Sequence, residues 1–196
     1  MTRPLIYFVR HGETSWNVER RLQGQTDRPL NKNGIAQATR NGQKLKALID
    51  DISIFDFVAS PLIRTSDTMR LLRKAMGLEP DDFRTDRRII EISFGEWEGS
   101  TLPELETHSP GVSKKRDADK WNFVPPGAAA ESYEILRRRV LPFVEELVRP
   151  TVVVTHGGVI RTIFRQFGGY SEEEASRMHV TQDHVLRFAD GELIWL

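Results

Sequence analysis

Two histidines and two arginines in this chain stand where a side chain can do chemistry. Arg10-His11-Gly12 follows an apolar run, Ser60-Pro61-Leu62-Ile63-Arg64 follows a second, and Thr155-His156-Gly157-Gly158 follows a third. Arginine presents a planar fork matched to phosphate oxygens, so Arg10 and Arg64 suit a phosphoryl group. A divalent metal is the rival reading of the two imidazoles. Two adjacent guanidiniums repel a dication, however, and no H-E-x-x-H or Asp-rich loop compensates. A G-x-x-x-x-G-K-[ST] loop for a nucleoside triphosphate is also missing. With no cysteine in the chain, the available nucleophile for attack on phosphorus is an imidazole nitrogen. Gly12 is expected to let the backbone pass close to a bound oxyanion, and the Gly157-Gly158 helix start to offer it free N–H groups.

Such chemistry also needs an acid for the leaving group. Ile89-Ile90-Glu91 places a carboxylate beside an apolar run, and Phe94-Gly95-Glu96-Trp97-Glu98-Gly99 follows in a glycine-punctuated turn. Glu91 is the stronger candidate, because desolvation against a buried strand favours the proton-carrying form of a carboxyl group. Glu96 and Glu98 stand behind it. His108 and His179 read as surface residues, and His184 is left open as a supporting group.

The elements that must position these residues alternate between strand and helix. Pro4 to Val9 is a continuous apolar run of the kind buried on both faces of a sheet. Asn31 reads as the N-cap of a helix running to Asp50. A strand over Phe55 to Ala59 leads into a helix with Pro61 in its first turn, continuing through Leu72. A third strand is expected within Phe83 to Ile90 and a long helix from about Glu131 to Arg149. Thr151 to Val154 is the most β-branched run and reads as a central strand, followed by a helix over Gly157 to Phe167. Val185 to Ala189 and Leu193 to Trp195 form a closing hairpin around Asp190-Gly191. Leu102 to Ala130, rich in Pro, Gly, Lys and Asp, reads as a lid or insertion.

This alternation predicts an α/β three-layer sandwich, a mostly parallel central sheet with helices on both faces. In such folds the functional crevice lies beyond the carboxyl ends of the strands. Independent strands send both histidines and both arginines to that edge. The expected organisation is a single domain over 1–196, with the lid at about 100–130.

Composition narrows the partners. Among 196 residues, Lys plus Arg and Asp plus Glu both number 28, so the formal net charge is +0. A sequence-independent nucleic-acid binder needs surplus positive charge to displace counterions, which points away from nucleic acid. The apolar run at Leu5 to Val9 is too short for a signal-peptide core, and nothing approaches a membrane span. The expected location is the cytoplasm, with no membrane partner.

Four blocks together, Arg10-His11-Gly12-Glu13-Thr14 with Asn17, Ser60-Pro61-x-x-Arg64, Glu91 before Phe94-Gly95-x-Trp97-Glu98-Gly99, and Thr155-His156-Gly157-Gly158, resemble the histidine phosphatase superfamily, the phosphoglycerate mutase-like branch. The resemblance runs from Ile6 to about Phe167. It implies that His11 is phosphorylated in turnover, that Arg10, Arg64 and His156 hold the phosphoryl oxygens, and that Glu91 shuttles the proton. It further implies that Asn17, Gln23, Gly24 and Gly157 line the pocket, with no metal and no cofactor. One departure is Pro126-Gly127-Ala128-Ala129-Ala130-Glu131-Ser132, where relatives carry a tighter P-G-G-E-S.

Within that family, cofactor-dependent mutases follow the catalytic Glu with Arg-His-Tyr and add arginines that grip a carboxylate. Here Glu91 is followed by Ile92-Ser93-Phe94, and the insertion before His156 is shorter. The reading is therefore a metal-independent phosphomonoesterase acting on a small phosphorylated metabolite, with inorganic phosphate as the other ligand. The alternatives are a 2,3-bisphosphoglycerate-dependent phosphoglycerate mutase and a non-catalytic phosphate-recognition domain. Lys114-Lys115-Arg116 reads as a solvated lid surface. The sequence leaves a homodimer open.

Overall fold

The computed structural model describes residues 3–196. Its chain runs β1 (Ile6–Arg10), α1 (Ser15–Val18), α2 (Lys32–Leu48), β2 (Asp56–Ala59), α3 (Ile63–Met76), β3 (Arg84–Thr85), α4 (Leu102–His108), α5 (Val112–Ala118), α6 (Tyr133–Glu145), β4 (Thr151–Thr155), α7 (Gly157–Phe167), α8 (Glu172–Arg177), β5 (Val185–Ala189) and β6 (Glu192–Trp195), with short 3-10 turns between. The six strands form one sheet in the order β3-β2-β4-β1-β5-β6. The first four are mutually parallel, and β5 and β6 close one edge antiparallel.

The continuous apolar strands explain the layers. Successive side chains point to opposite faces, so an unbroken apolar run feeds two cores. Ile6, Phe8, Val58 and Val153 pack with α6 and α7 through Leu136, Val140, Phe143, Ile160 and Ile163. Tyr7, Val9, Ala59, Val152 and Val154 pack on the other face with Leu45 of α2 and Met69 and Leu72 of α3. Each such side chain taken from water contributes roughly 1.5–3 kcal/mol. The expected α/β three-layer architecture is thus the observed one. Among the described residues no helix is long and apolar enough to cross a membrane.

Several boundaries differ from expectation. Pro61 stays outside α3, which begins at Ile63; the Ile63 N–H donates to the Asp27 carboxylate at 2.9 Å, a cap supplied from a distant loop. Of the strand expected within Phe83 to Ile90, only Arg84–Thr85 pairs. Asp86 accepts the N–H of Arg88 and turns the chain into a 3-10 turn over Arg87–Ile89. Ile89 and Ile90 are still buried, because the turn itself faces the core. The long helix is shorter than expected, starting at Tyr133 behind a Ser132 cap. The segment read as a lid contains α4 and α5, and α8 is also additional; α4 and α8 each start with a capping box, Thr101/Glu104 and Ser171/Glu174.

Candidate active site

Register brings the functional residues level. Arg10 pairs with Thr155 across the parallel β1/β4 ladder, and Ala59 with Val154 across β2/β4. The ladder continues one step past the strands, where the His11 N–H donates to Thr155 O at 2.9 Å and the Ser60 N–H to Val154 O at 3.0 Å. His11, Ser60 and His156 therefore leave the sheet at one height. Arg64 reaches the same spot from the first turn of α3 and is fully buried.

The two imidazoles lie with ring centroids 5.3 Å apart and are both buried. His11 Nδ1 lies 2.8 Å from its neighbour's carbonyl, Gly12 O. A carbonyl only accepts, so Nδ1 carries the hydrogen and Nε2 keeps its lone pair. Burial first, then the charges of Arg64 and Arg10, hold His11 well below the ordinary 6.5, leaving a neutral ring at pH 7. His156 is lowered in the same way, by burial and then Arg64, and its Nε2 lies 2.7 Å from Ser60 Oγ.

The guanidiniums are fastened from behind. Arg64 donates through Nη1 to Thr26 O at 2.9 Å and through Nη2 to Gly24 O at 2.7 Å. Arg10 donates through Nη1 to Val180 O at 2.6 Å. Burial followed by Arg161 pushes Arg10 down to about 10, which still leaves it cationic at neutral pH. Four buried side-chain nitrogens find no partner among the described residues: Arg10 Nε, Arg64 Nε, His156 Nδ1 and Arg28 Nε. The first three belong to this one cluster. Native proteins rarely leave buried polar nitrogens unmatched; the two arginine Nε are donors, His156 Nδ1 is a third when the Ser60 hydroxyl donates to Nε2, and together they form a receptor for oxyanion oxygens.

Arg10, His11, Asn17, Gln23, Gly24, Arg64, Glu91 and Gly157 together line a cavity of about 140 Å³. His156 stands against His11. Thus all nine residues named from sequence meet at one place. Asn17 Oδ1 accepts from the N–H of Thr14 and from Gln182 Nε2, at 3.0 and 3.1 Å, so its oxygen is committed to the protein. Gln23 Oε1 accepts from the Thr14 hydroxyl at 3.0 Å.

Some expected roles change. Gly12 serves packing, since a Cβ there would collide with the Gly34 backbone of α2. The Gly158 N–H is not free, because it donates to Glu91 Oε1 at 3.0 Å; Ile92 N–H donates to the same oxygen at 2.9 Å. Glu91 thus sits in a polar setting at the start of α7, rather than against an apolar strand. Glu98, the reserve candidate, is a clamp whose carboxylate accepts from Gln25 N–H, Thr26 N–H and the Thr26 hydroxyl. It fixes the loop whose carbonyls hold Arg64. His184 does not support the site: it is about half exposed and lies beside Asp183 and Thr181. His108 and His179 are exposed, as expected.

Sequence reading missed a strap at Met178 to Gln182. Besides Val180 O, Met178 O accepts from Arg161 Nε at 3.0 Å, and Gln182 Nε2 donates to His11 O and Asn17 Oδ1. Arg161 itself, with Arg21, Leu22, Ile92, Phe94 and Tyr133, lines the cavity. Its position was readable, since i to i+4 spacing sets it on the Gly157 face of α7.

Comparison with known proteins places these observations in a family. Residues 6–192 match the histidine phosphatase superfamily (branch 1). A Salmonella choleraesuis protein named as a probable phosphoglycerate mutase is 38% identical over 194 residues, covering 97% of this chain and 87% of its own. Phosphoglycerate mutase-like protein 4 of Arabidopsis thaliana is 31% identical, covering 95% and 80%. A mycobacterial glucosyl-3-phosphoglycerate phosphatase, solved with VO3, superposes with a TM-score of 0.79 at 26% identity, covering 98% of this chain and 96% of that one.

Proposed function

This chain belongs to the histidine phosphatase superfamily, a family of phosphoryl-transfer enzymes, and on that premise we propose that it is a metal-independent phosphomonoesterase working through a phosphohistidine on His11. One observation carries the reading: a lone-pair-bearing Nε2 on a neutral, buried His11 shares one small cavity with Arg10 and Arg64, whose Nε groups are unmatched, and His156 with its unmatched Nδ1 stands against His11. Nε2 attacks phosphorus in line and the ester P–O bond breaks. Arg10, Arg64 and His156 neutralise and orient the phosphoryl oxygens, more strongly as charge spreads over them in the transition state. Glu91 gives its proton to the departing alkoxide. Water then attacks phosphorus, Glu91 takes that proton back, the P–N bond breaks and phosphate leaves.

Hydrolysis, rather than phosphoryl return to a second hydroxyl, is supported by the segment after Glu91. Ile92 and Ser93 are buried and Phe94 borders the cavity, so this stretch brings no cation to a substrate carboxylate. The names of the sequence relatives favour the mutase reading instead. The two separate on 3-phosphoglycerate: release of phosphate supports hydrolysis, and efficient 2-phosphoglycerate formation dependent on added 2,3-bisphosphoglycerate overturns it.

The central experiment is neutral rapid quenching followed by mass spectrometry, which should find phosphate on His11. Activity should survive exhaustive chelation, and vanadate should inhibit strongly by adopting the trigonal bipyramidal geometry. Phosphate on His156, or activity abolished by EDTA and restored by Zn²⁺, would sink the mechanism. If p-nitrophenyl phosphate releases no phosphate while inorganic phosphate binds, the domain is a recognition module.

A further inference from the structure

With Glu91 carrying the proton that it gives to the leaving group, the cavity holds more positive charge than a phosphoryl group requires. A phosphomonoester carries about −1.5 to −2 near neutral pH, which Arg10 and Arg64 match in number. Arg21 also borders the cavity, but Glu19 and Glu104 neutralise it at 2.7 and 2.8 Å. Arg161 has no such partner: among the described residues no carboxylate lies within ion-pair distance of it. Its Nε is spent on Met178 O, which leaves the terminal nitrogens of the fork for the cavity side. A Cβ at Gly157 would stand 3.3 Å from Arg161 Nη1 and 3.5 Å from Arg10 Nε, so the two guanidiniums come together over this glycine.

A second cation lies in a neighbouring pocket, which Asp117, Asp119, Glu172 and Glu173 line with it. Lys120 follows the end of α5, is half-buried, and has no carboxylate partner among the described residues. Burial, then the charges of Arg116 and Arg161, lower its ammonium to about 8. It therefore remains mostly protonated at pH 7. Lys114 and Lys115 point to solvent as expected, whereas Arg116 is largely covered.

We propose that Arg161 is a specificity-determining residue that reads a second anionic group, carboxylate or phosphate, on the alcohol half of the substrate. It supplies from α7 what the apolar segment after Glu91 does not. The inference rests on the phosphomonoesterase reading and narrows it to esters whose leaving group is itself an anion.

The test compares esters of matched size. Glycerol 3-phosphate and 3-phosphoglycerate differ by a hydroxymethyl against a carboxylate, and 1,3-propanediol bisphosphate carries a second phosphate. The wild-type kcat/KM ratio of the preferred ester bearing a second anionic group to glycerol 3-phosphate should be roughly 10 to 100, the scale of one charge-assisted contact. Arg161→Met should bring that ratio to about 1, whatever loss is common to both substrates, while Arg161→Lys retains part of it. Lys120→Met, in the neighbouring acidic pocket, leaves the Met178 contact intact and should leave the ratio unmoved. A wild-type ratio near 1 for both anionic esters, or a ratio unmoved in Arg161→Met, overturns the proposal. If no ester is hydrolysed, the phosphatase reading fails by itself. Calorimetric affinities for 3-phosphoglycerate and glycerol 3-phosphate then decide, and equal values overturn the second site.

Discussion

Near the start of β2, a groove bordered by Phe55, Asp56, Arg73, Asp82 and Arg84 encloses about 750 Å³, while the pocket at the carboxyl ends of the strands encloses about 140 Å³. Both are lined by arginines, and their bonding differs completely. In the groove, Arg73 is paired with Asp82 at 3.2 Å, donates to Glu79 O at 2.7 Å and lies over the Phe57 ring. Arg84 faces Asp86 at 3.7 Å. In the pocket, Arg10, Arg64 and His156 each keep an unmatched nitrogen. A larger hole with satisfied groups is a gap in the surface. Unspent hydrogen-bonding capacity marks the site of chemistry.

The sharpest attempt to break this comparison is His11→Ala. Removing the nucleophile should cost roughly 10⁴- to 10⁶-fold in kcat on every phosphomonoester, since nothing else in the pocket can form the covalent intermediate. Near-normal turnover would move the chemistry elsewhere. Next is Glu91→Ala, which should lose about 10²–10⁴-fold on an alkyl phosphate, whose leaving alkoxide needs a proton. On p-nitrophenyl phosphate the first step should suffer far less, and phosphohistidine should accumulate in a burst. Equal losses on both substrates without a burst would make Glu91 structural. Its two backbone contacts already show how it could be so.

A smaller effect concerns pH. The folded pocket keeps both imidazoles neutral below their ordinary 6.5, while the unfolded chain binds those protons. More protons on the unfolded side means stability rises with pH, so it is lost as pH falls below about 6.5. Each histidine adds up to about 1.4 kcal/mol per pH unit. Urea melts at pH 7.5 and 5.5 should show a shallower fall for His11→Gln than for wild type; equal falls would mean the imidazole is not held neutral. The smallest expected effect sharpens the contrast from the other side. Arg73→Met in the groove should leave kcat/KM within about twofold and lower stability by about 1–3 kcal/mol through lost hydrogen bonds. Impaired turnover there would show that the groove takes part in function.

What could be read in advance follows the range of the interactions. The three strand ends were legible because each apolar run breaks abruptly at a cation, a serine or a histidine, and a buried parallel sheet aligns such breaks at one edge. Asn31, Gly157 and the hairpin turn at Asp190-Gly191 were legible because caps and turns act within four residues. The β3 region misled, since Ile89 and Ile90 advertise burial but not the backbone shape that achieves it. The short helices α4 and α8 lack an apolar stripe long enough to show a period. Their capping boxes at Thr101 and Ser171 were the available signal. The Asp27 cap on α3, the Glu98 clamp and the Gln182 contact were illegible for one reason: each joins segments 36 to 171 residues apart through a polar side chain. Such contacts leave no trace in local periodicity.

The strap from Met178 to Gln182 belongs to neither helix nor strand, yet it touches Arg10, His11, Asn17 and Arg161. Irregular segments open at lower free energy than the sheet beside them. The catalytic arrangement is therefore tethered to one of the softer parts of the molecule. Mild denaturant or warming would silence turnover while the six strands stay intact, and a protease able to enter at the strap would do the same. An oxyanion bound to Arg10 favours the arrangement in which that arginine grips the strap, so substrate itself would shield the segment from opening.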